Sequence, residues 1–291
     1  MTDAFPRALS PSRANDFQTC PLMFRLRSID RIPEAPAPAA LRGNLVHTVL
    51  ERLFDLPAAQ RSLPATRQLL GTAWRELADA DADGARALLV DAKLPDDVSK
   101  ASDLTDAMVN RIAPLLDTYF ALEDPTRLQP HAREVAVSVQ IAEDFSIRGF
   151  IDRVDVAPAG QIRIVDYKTG KAPRAGFESK AMFQMRFYAL AWWRMTGDLP
   201  AMLQLLYLGS NEALRYEPDE ADLVRTEQKI LSIRGRIQAA VAEGFEPTPS
   251  RLCGWCSYQH LCPQYGGTPP ELPHSDTWES LAFESARIQE A

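Results

Sequence analysis

The sequence predicts an α/β protein, a mixed β-sheet flanked by helices. Two observations carry that assignment. Up to about residue 130 the apolar residues recur at helical spacing; at Arg133 the period changes to two, with Val135, Val137, Val139 and Ile141 alternating with other side chains. From there strand-like and helix-like stretches alternate to about residue 241, as expected of a sheet covered by helices.

Each element follows from local signals. Leu9 to Arg27 begins with Ser10-Pro11-Ser12, a capping hydroxyl followed by proline at the first helical position, and reads as one helix. Pro33 to Pro38 is a Pro/Ala connector. A second helix is expected from about Gly43 to Phe54, with Leu45, Val49, Leu50 and Leu53 on one side. Pro57 to Pro130 is Ala/Leu-rich and helical, broken by prolines, and Trp74, Leu77, Leu88, Leu115, Tyr119 and Phe120 can pack it into a small helical subdomain. Strands are expected at Ile147 to Val156 and at Ile162 to Lys168. The turn-forming Ala157-Pro158-Ala159-Gly160 joins them as a hairpin. A helix from Glu178 to Met195, a strand from Leu203 to Leu208 and a helix from Asp219 to Val241 follow. From Pro247 the chain is loop-like and rich in Cys, Pro and Gly. The tail after Gly267 carries Trp278, Leu281 and Phe283 but has no readable pattern.

Of the 291 residues, 46% are hydrophobic and 24% charged, the balance of a soluble globular chain. Met1 to Arg13 has no apolar stretch of secretory type, and no run of about 18 apolar residues occurs, so the expected location is the cytoplasm, with no membrane partner. The net charge of −7 weighs little against nucleic-acid binding, because phosphate contacts need only a local basic groove and bound cations would offset carboxylates. Gly170-Lys171 lacks the earlier glycine and the following hydroxyl of a P-loop, so no ATP site is expected.

The acidic hairpin is the main chemical signal. Ile162, Ile164, Asp166 and Lys168 share one face of a strand, and an apolar face ending in a carboxylate and an ammonium is costly unless the charges are used. Hairpin pairing can bring Asp152 near Asp166. Two carboxylates suit Mg²⁺ or Mn²⁺, which would acidify a water and neutralise phosphate charge, with Lys168 stabilising the developing negative charge. The plainer alternative is a strand-end salt bridge, and Asp91-Ala92-Lys93 repeats the tripeptide in a helical context with no such partner. His47, on the helix opened by Gly43, is a further candidate ligand or an ordinary core or surface histidine. Gln184 and Tyr188, four apart, project from one helix face, where they could reach a phosphate or base or simply pack.

The ordered series Gly43-x3-His47, Gly149-x2-Asp152, Asp166-Tyr167-Lys168-Thr169-Gly170 and Gln184-x3-Tyr188 resembles the RecB-like branch of the PD-(D/E)XK nuclease superfamily, over roughly residues 8 to 265. The family's proline is absent, since Ile151 precedes Asp152, but Gly-x-x-Asp is common in that branch. The resemblance implies a restriction-endonuclease-like core and a metal-dependent DNA exonuclease acting on single-stranded or duplex ends, with single-stranded ends preferred, in repair or recombination. It implies His47, Asp152, Asp166 and the Tyr167 carbonyl as metal ligands. Asp152, Asp166 and Lys168 would be catalytic, with Gln184 and Tyr188 as the accessory motif. Arg186, Lys171 and Lys180 are candidate phosphate contacts, and a helicase or repair partner would be a separate chain. Alternative functions are a CRISPR adaptation nuclease or a non-catalytic DNA-binding module.

Cys253, Cys256 and Cys262 form a C-x2-C-x5-C array, and Cys20 is the only other cysteine. In a reducing compartment a disulfide is disfavoured, and four thiolates suit Zn²⁺ or an iron–sulfur cluster equally. Some RecB-like nucleases, including the AddB subunit and CRISPR adaptation nucleases, place one cysteine before the nuclease motifs and three after. In those the four bind a [4Fe–4S] cluster, so the resemblance implies one held by Cys20, Cys253, Cys256 and Cys262. The implied organisation is N-terminal helices with the first cysteine and the histidine motif at 1–56, a helical insertion at 57–131, the nuclease core at 132–246, the cluster loop at 247–267 and a tail at 268–291.

Overall fold

The computed structural model describes residues 7–174 and 179–272. The N-terminal strand β1 (Ala8–Leu9) leads into α1 (Pro11–Thr19), where the Ser10 side chain accepts the Arg13 N–H. The single helix expected to Arg27 is broken. Cys20 is extended (φ −161°, ψ 112°) because Pro21 disfavours helical backbone in the residue before it. The short α2 (Pro21–Phe24) and a π-helical turn (Arg25–Ile29) follow. Helix α3 (Pro38–Leu53) starts before the expected Gly43, with Pro38 in its first turn. The helical region comprises α4 (Leu63–Ala80), α5 (Ala82–Asp91) and α6 (Thr105–Leu122).

Strands β2 (Ala132–Ala142), β3 (Phe145–Val156) and β4 (Ile162–Lys168) form antiparallel pairs, and β5 (Met202–Tyr207) lies parallel to β4 after the crossover helix α7 (Ser179–Thr196). A sixth strand not expected from the sequence, β6 (Glu212–Tyr216), pairs with β5. Helix α8 (Glu220–Glu243) closes the unit behind a capping box of Asp219 and Asp222. The expected starting residue of α7, Glu178, and the tail residues Trp278, Leu281 and Phe283 lie outside the described residues. Among the described residues no helix is long and apolar enough to cross a membrane.

The two faces of the sheet are covered differently. One carries Ile147, Ile151, Val154, Ile164, Leu203 and Leu205 against α1, α7 and α8. The other presents Val165, Tyr167, Leu206 and Leu208 to the core of α3, α4, α5 and α6. A third, small core of Leu22, Leu26 and Tyr258 joins the N-terminal turns to the C-terminal loop.

Strand β3 has an unusual edge. β2 runs along one side of it, so β1 and β4 share the other, β1 at Ser146–Ile147 and β4 at Arg153–Val156. Between those contacts no strand of the described residues continues the ladder on that edge. A register shift between Gln140 and Ala142 moves β2 by one residue against β3, and Glu134, at φ 45°, then falls opposite Asp152 between the Arg133–Arg153 and Val135–Ile151 pairs. Ile151 and Val154 lie in the same core although three apart, so strict alternation slips across Asp152 and Arg153.

Candidate active site

The stretch of β3 between its contacts with β1 and β4 is where the sequence-predicted residues meet. Asp152 fills the gap with its side chain, Oδ2 accepting the Tyr167 N–H at 2.7 Å, as a backbone carbonyl would in a continuing ladder. Asp166 and Lys168 extend from the same face of β4. Lys168 Nζ donates to Asp166 Oδ1 at 3.1 Å and to Gln184 Oε1 at 2.9 Å, and Gln184 Nε2 donates back to Asp166 Oδ1 at 3.1 Å. Gln184 Nε2 also lies 3.4 Å from the Tyr188 hydroxyl. The structure thus joins the acidic hairpin and the helix pair in one network.

Gly149 explains how α7 comes so close. A Cβ there would stand 2.7 Å from Tyr188 Cε1, so only glycine lets the tyrosine ring lie against β3. Gly209 has a similar role behind β4, where a Cβ would meet the Gly170 carbonyl oxygen at 2.6 Å.

From the other face, α3 brings His47 between the strands. Its Nε2 is 2.9 Å from the Tyr167 carbonyl oxygen and its Nδ1 is 3.5 Å from Asp152 Oδ2. Burial disfavours the imidazolium, but the Asp152 carboxylate outweighs it and pushes the histidine up to about 9. Asp152 goes the other way: burial opposes its ionisation, and His47 and then Lys168 hold it below the usual carboxylate range. Asp166, only 2% exposed, is pushed up to about 6 by burial, with Lys168 opposing and Asp152 reinforcing the rise. Its Oδ2 touches the ammonium at 2.9 Å yet accepts no directed hydrogen bond.

One site residue escapes the sequence reading. Glu134 places a carboxylate oxygen within 4.8 Å of ligand atoms of both His47 and Asp152, the one such trio of potential ligands among the described residues. With the Tyr167 carbonyl that faces His47, this group offers two carboxylates, an imidazole and a backbone carbonyl, beside the Asp166 carboxylate that Lys168 pairs. It fits a hard divalent cation such as Mg²⁺ or Mn²⁺. The suggested phosphate contacts fare differently. Arg186 stacks on Tyr216 of β6 at 4.4 Å, Lys180 bonds Thr19 Oγ1 at 3.2 Å, and Lys171 is exposed.

The four cysteines, from opposite ends of the chain, line one cavity of about 50 Å³ with Met23, Leu252 and Tyr265 among its walls. Cys20 Sγ accepts the Thr248 N–H at 3.4 Å and Cys253 Sγ accepts the Ser250 N–H at 3.2 Å. Burial, with the neighbouring cysteines adding to it, raises the Cys256 thiol. Beside them Tyr258 donates to Glu34 at 2.7 Å and to the Ile32 carbonyl at 3.0 Å, anchoring the loop to the N-terminal segment.

The family model of the PD-(D/E)XK nuclease superfamily matches residues 8–263. The Gene 69 protein of Mycobacterium phage L5 is 32% identical over 142 residues, a match spanning 46% of this chain and 45% of that relative, so this chain covers about half of its length. A solved structure from Eubacterium rectale, described as a candidate exonuclease, aligns over 87% of this chain and 88% of that one at 14% identity and a TM-score of 0.45. The crystal structure of SSO0001 aligns over 58% of this chain and 74% of that one at 16% identity and a TM-score of 0.33. With the family model spanning nearly the whole described chain, the chain belongs to the PD-(D/E)XK nuclease superfamily.

Proposed function

We propose that the protein is a RecB-like DNA exonuclease that uses Mg²⁺ or Mn²⁺, acts from single-stranded ends in repair or recombination, and carries a structural [4Fe–4S] cluster. The observation that carries the nuclease reading is the interlocked set Asp166, Lys168 and Gln184 beside Asp152, Glu134 and His47. His47, Asp152, Asp166 and the Tyr167 carbonyl, joined by Glu134, would hold the cation. When bound it would supply Lewis-acid polarisation of a phosphate oxygen and a water acidic enough to attack near neutral pH.

The chain's own residues do the rest. Lys168, half-buried beside the enclosed Asp166, brings a positive charge to the non-bridging oxygens where charge develops. Asp166 and Gln184 fix its ammonium, so little reorganisation is needed during reaction. Tyr188, wedged against Gly149, holds α7 and therefore Gln184 at the site. For the cluster, the support is four thiols lining one cavity, N–H donors directed at two sulfurs, and the one-before, three-after order of the cysteines.

The test is digestion of end-labelled single- and double-stranded DNA by anaerobically purified protein with Mg²⁺, Mn²⁺ or EDTA, alongside Asp166→Asn and Lys168→Ala. Metal-dependent shortening that falls at least ~100-fold in both variants is expected, with single strands degraded faster. Equal behaviour of wild type and variants on every substrate would sink the nuclease reading in favour of a DNA-binding module.

A further inference from the structure

On the sheet face opposite Asp166, Lys168 and Gln184 lies a fully buried arginine that the chemistry above does not use. Arg153 follows Asp152 in the chain and has no exposed surface. Its Nη1 donates to the Tyr167 hydroxyl at 2.6 Å and its Nη2 to Glu123 Oε2 at 2.7 Å, while Asp155 accepts from Nε and Nη2 at 3.2 and 3.1 Å. The guanidinium also stacks over the Tyr167 ring at 5.6 Å, and the Tyr119 ring meets the same ring edge-on at 5.8 Å. Tyr119 lies within α6 and Glu123 caps its end, so helices beyond the sheet grip this point.

Stability alone is a poor reason for such an arrangement. A buried ion pair often contributes no more than apolar groups of the same volume, because desolvation offsets the attraction. What Arg153 controls is more specific. The Tyr167 side chain points to Arg153, while its backbone is the hinge of the site: the N–H goes to Asp152, the carbonyl faces His47, and Asp166 and Lys168 flank it. Asp152 is covalently next to Arg153, so one guanidinium fixes both strands of the fork from behind.

We infer that Arg153 is a positioning residue, which, held by Glu123 and Tyr119 of the helical region, sets the Tyr167 backbone so that its carbonyl and Asp152 converge on the divalent cation. The inference rests on the metal-dependent reading proposed above. It gives the helical region a task at the site: buttressing the metal ligands through the sheet.

Two variants test it. Arg153→Met keeps the volume and removes the charge; Tyr167→Phe removes only the hydroxyl that Arg153 grips and leaves the carbonyl in place. Mn²⁺ binding is measured by calorimetry without DNA, with thermal unfolding in EDTA and kcat and KM for single-stranded DNA in parallel. Both variants should unfold cooperatively, and Arg153→Met should bind Mn²⁺ about 10- to 100-fold more weakly, the usual cost of losing a partner behind a metal ligand. Tyr167→Phe should shift affinity in the same direction by less. In both, kcat should fall while KM for DNA stays within about twofold. Arg153→Lys should recover part of the Mn²⁺ affinity. Wild-type Mn²⁺ affinity in a folded Arg153→Met, or in Tyr167→Phe should the first not fold, overturns the inference. Wild type that binds Mn²⁺ but cleaves no DNA overturns the nuclease reading alone, since affinity in the variants still judges Arg153. No Mn²⁺ binding by wild type overturns both.

Discussion

At the scale of single residues, His47 shows how the site offsets its carboxylate charge. The imidazole sits between a carboxylate and a carbonyl, and a proton on it satisfies both. Its value rises from 6.5 to about 9 on folding, with burial opposing and Asp152 prevailing. A group raised in this way contributes stability that is complete below the unfolded value and is lost as pH climbs through the folded one. In EDTA the melting temperature should therefore fall between pH 6.5 and 9, and His47→Gln should flatten that slope. Mg²⁺ should reduce it too, because a cation takes over the proton's task. Identical slopes for wild type and His47→Gln would show that the titration lies elsewhere.

At the scale of elements, the break at Cys20 matters most. Without Pro21, α1 would run on through residue 20 and carry the thiol around the helix, away from the cavity it shares with Cys253, Cys256 and Cys262. Pro21→Ala should therefore weaken iron incorporation, read as lost absorbance in the visible range per mole of protein, while helical circular dichroism holds or rises. Undiminished iron content would mean that the loop, not the helix break, places the thiol.

The same element shows what the sequence discloses. Long stretches with a clear period, such as β2, β3, β4, α7 and α8, were legible because burial of one face imposes the period. β1 has two residues and β6 five mostly exposed ones, too little to carry a pattern. The break at Pro21 did have a signal, the bias of a residue before proline, which the capping pattern at Ser10 overshadowed. That Asp152 comes near Asp166 and Lys168, and that Gln184 and Tyr188 share a helix face, was legible because those spacings are local, whereas the place of His47 beside Asp152 followed only from the order of the motifs. Glu134 was not, because its place depends on strand register. Arg153 was hidden by its charge, since nothing in Asp152-Arg153-Val154-Asp155 says that the cation will be enclosed by Tyr167, Tyr119 and Glu123.

At the scale of the whole molecule, the cysteine cavity ties the two ends of the described chain together. Arg25 bonds the Pro270 carbonyl and Tyr258 bonds Glu34, so the C-terminal loop already lies on the N-terminal turns. A cluster held by Cys20 and the C-terminal triad would close a loop around nearly the entire fold and remove much of the unfolded chain's freedom. Cys256→Ala should lose brown colour and soluble yield together, with a lower melting temperature in whatever remains soluble. A colourless variant that stays soluble and fully active would assign the cysteines a role other than stapling the fold.

The one-residue slip between Gln140 and Ala142 reaches further than its size suggests. Beyond the slip, a plain two-residue turn at Glu143 and Asp144 would have set Val135, not Glu134, against Asp152. Gain of a single residue near the hairpin tip, with the turn and the slip kept, would thus act on the sheet as a frameshift acts on a message, replacing a carboxylate with a valine at a place far from the insertion. The tip touches no substrate in the proposed chemistry, yet its length spells the composition of the site, and it should tolerate substitutions far better than insertions or deletions.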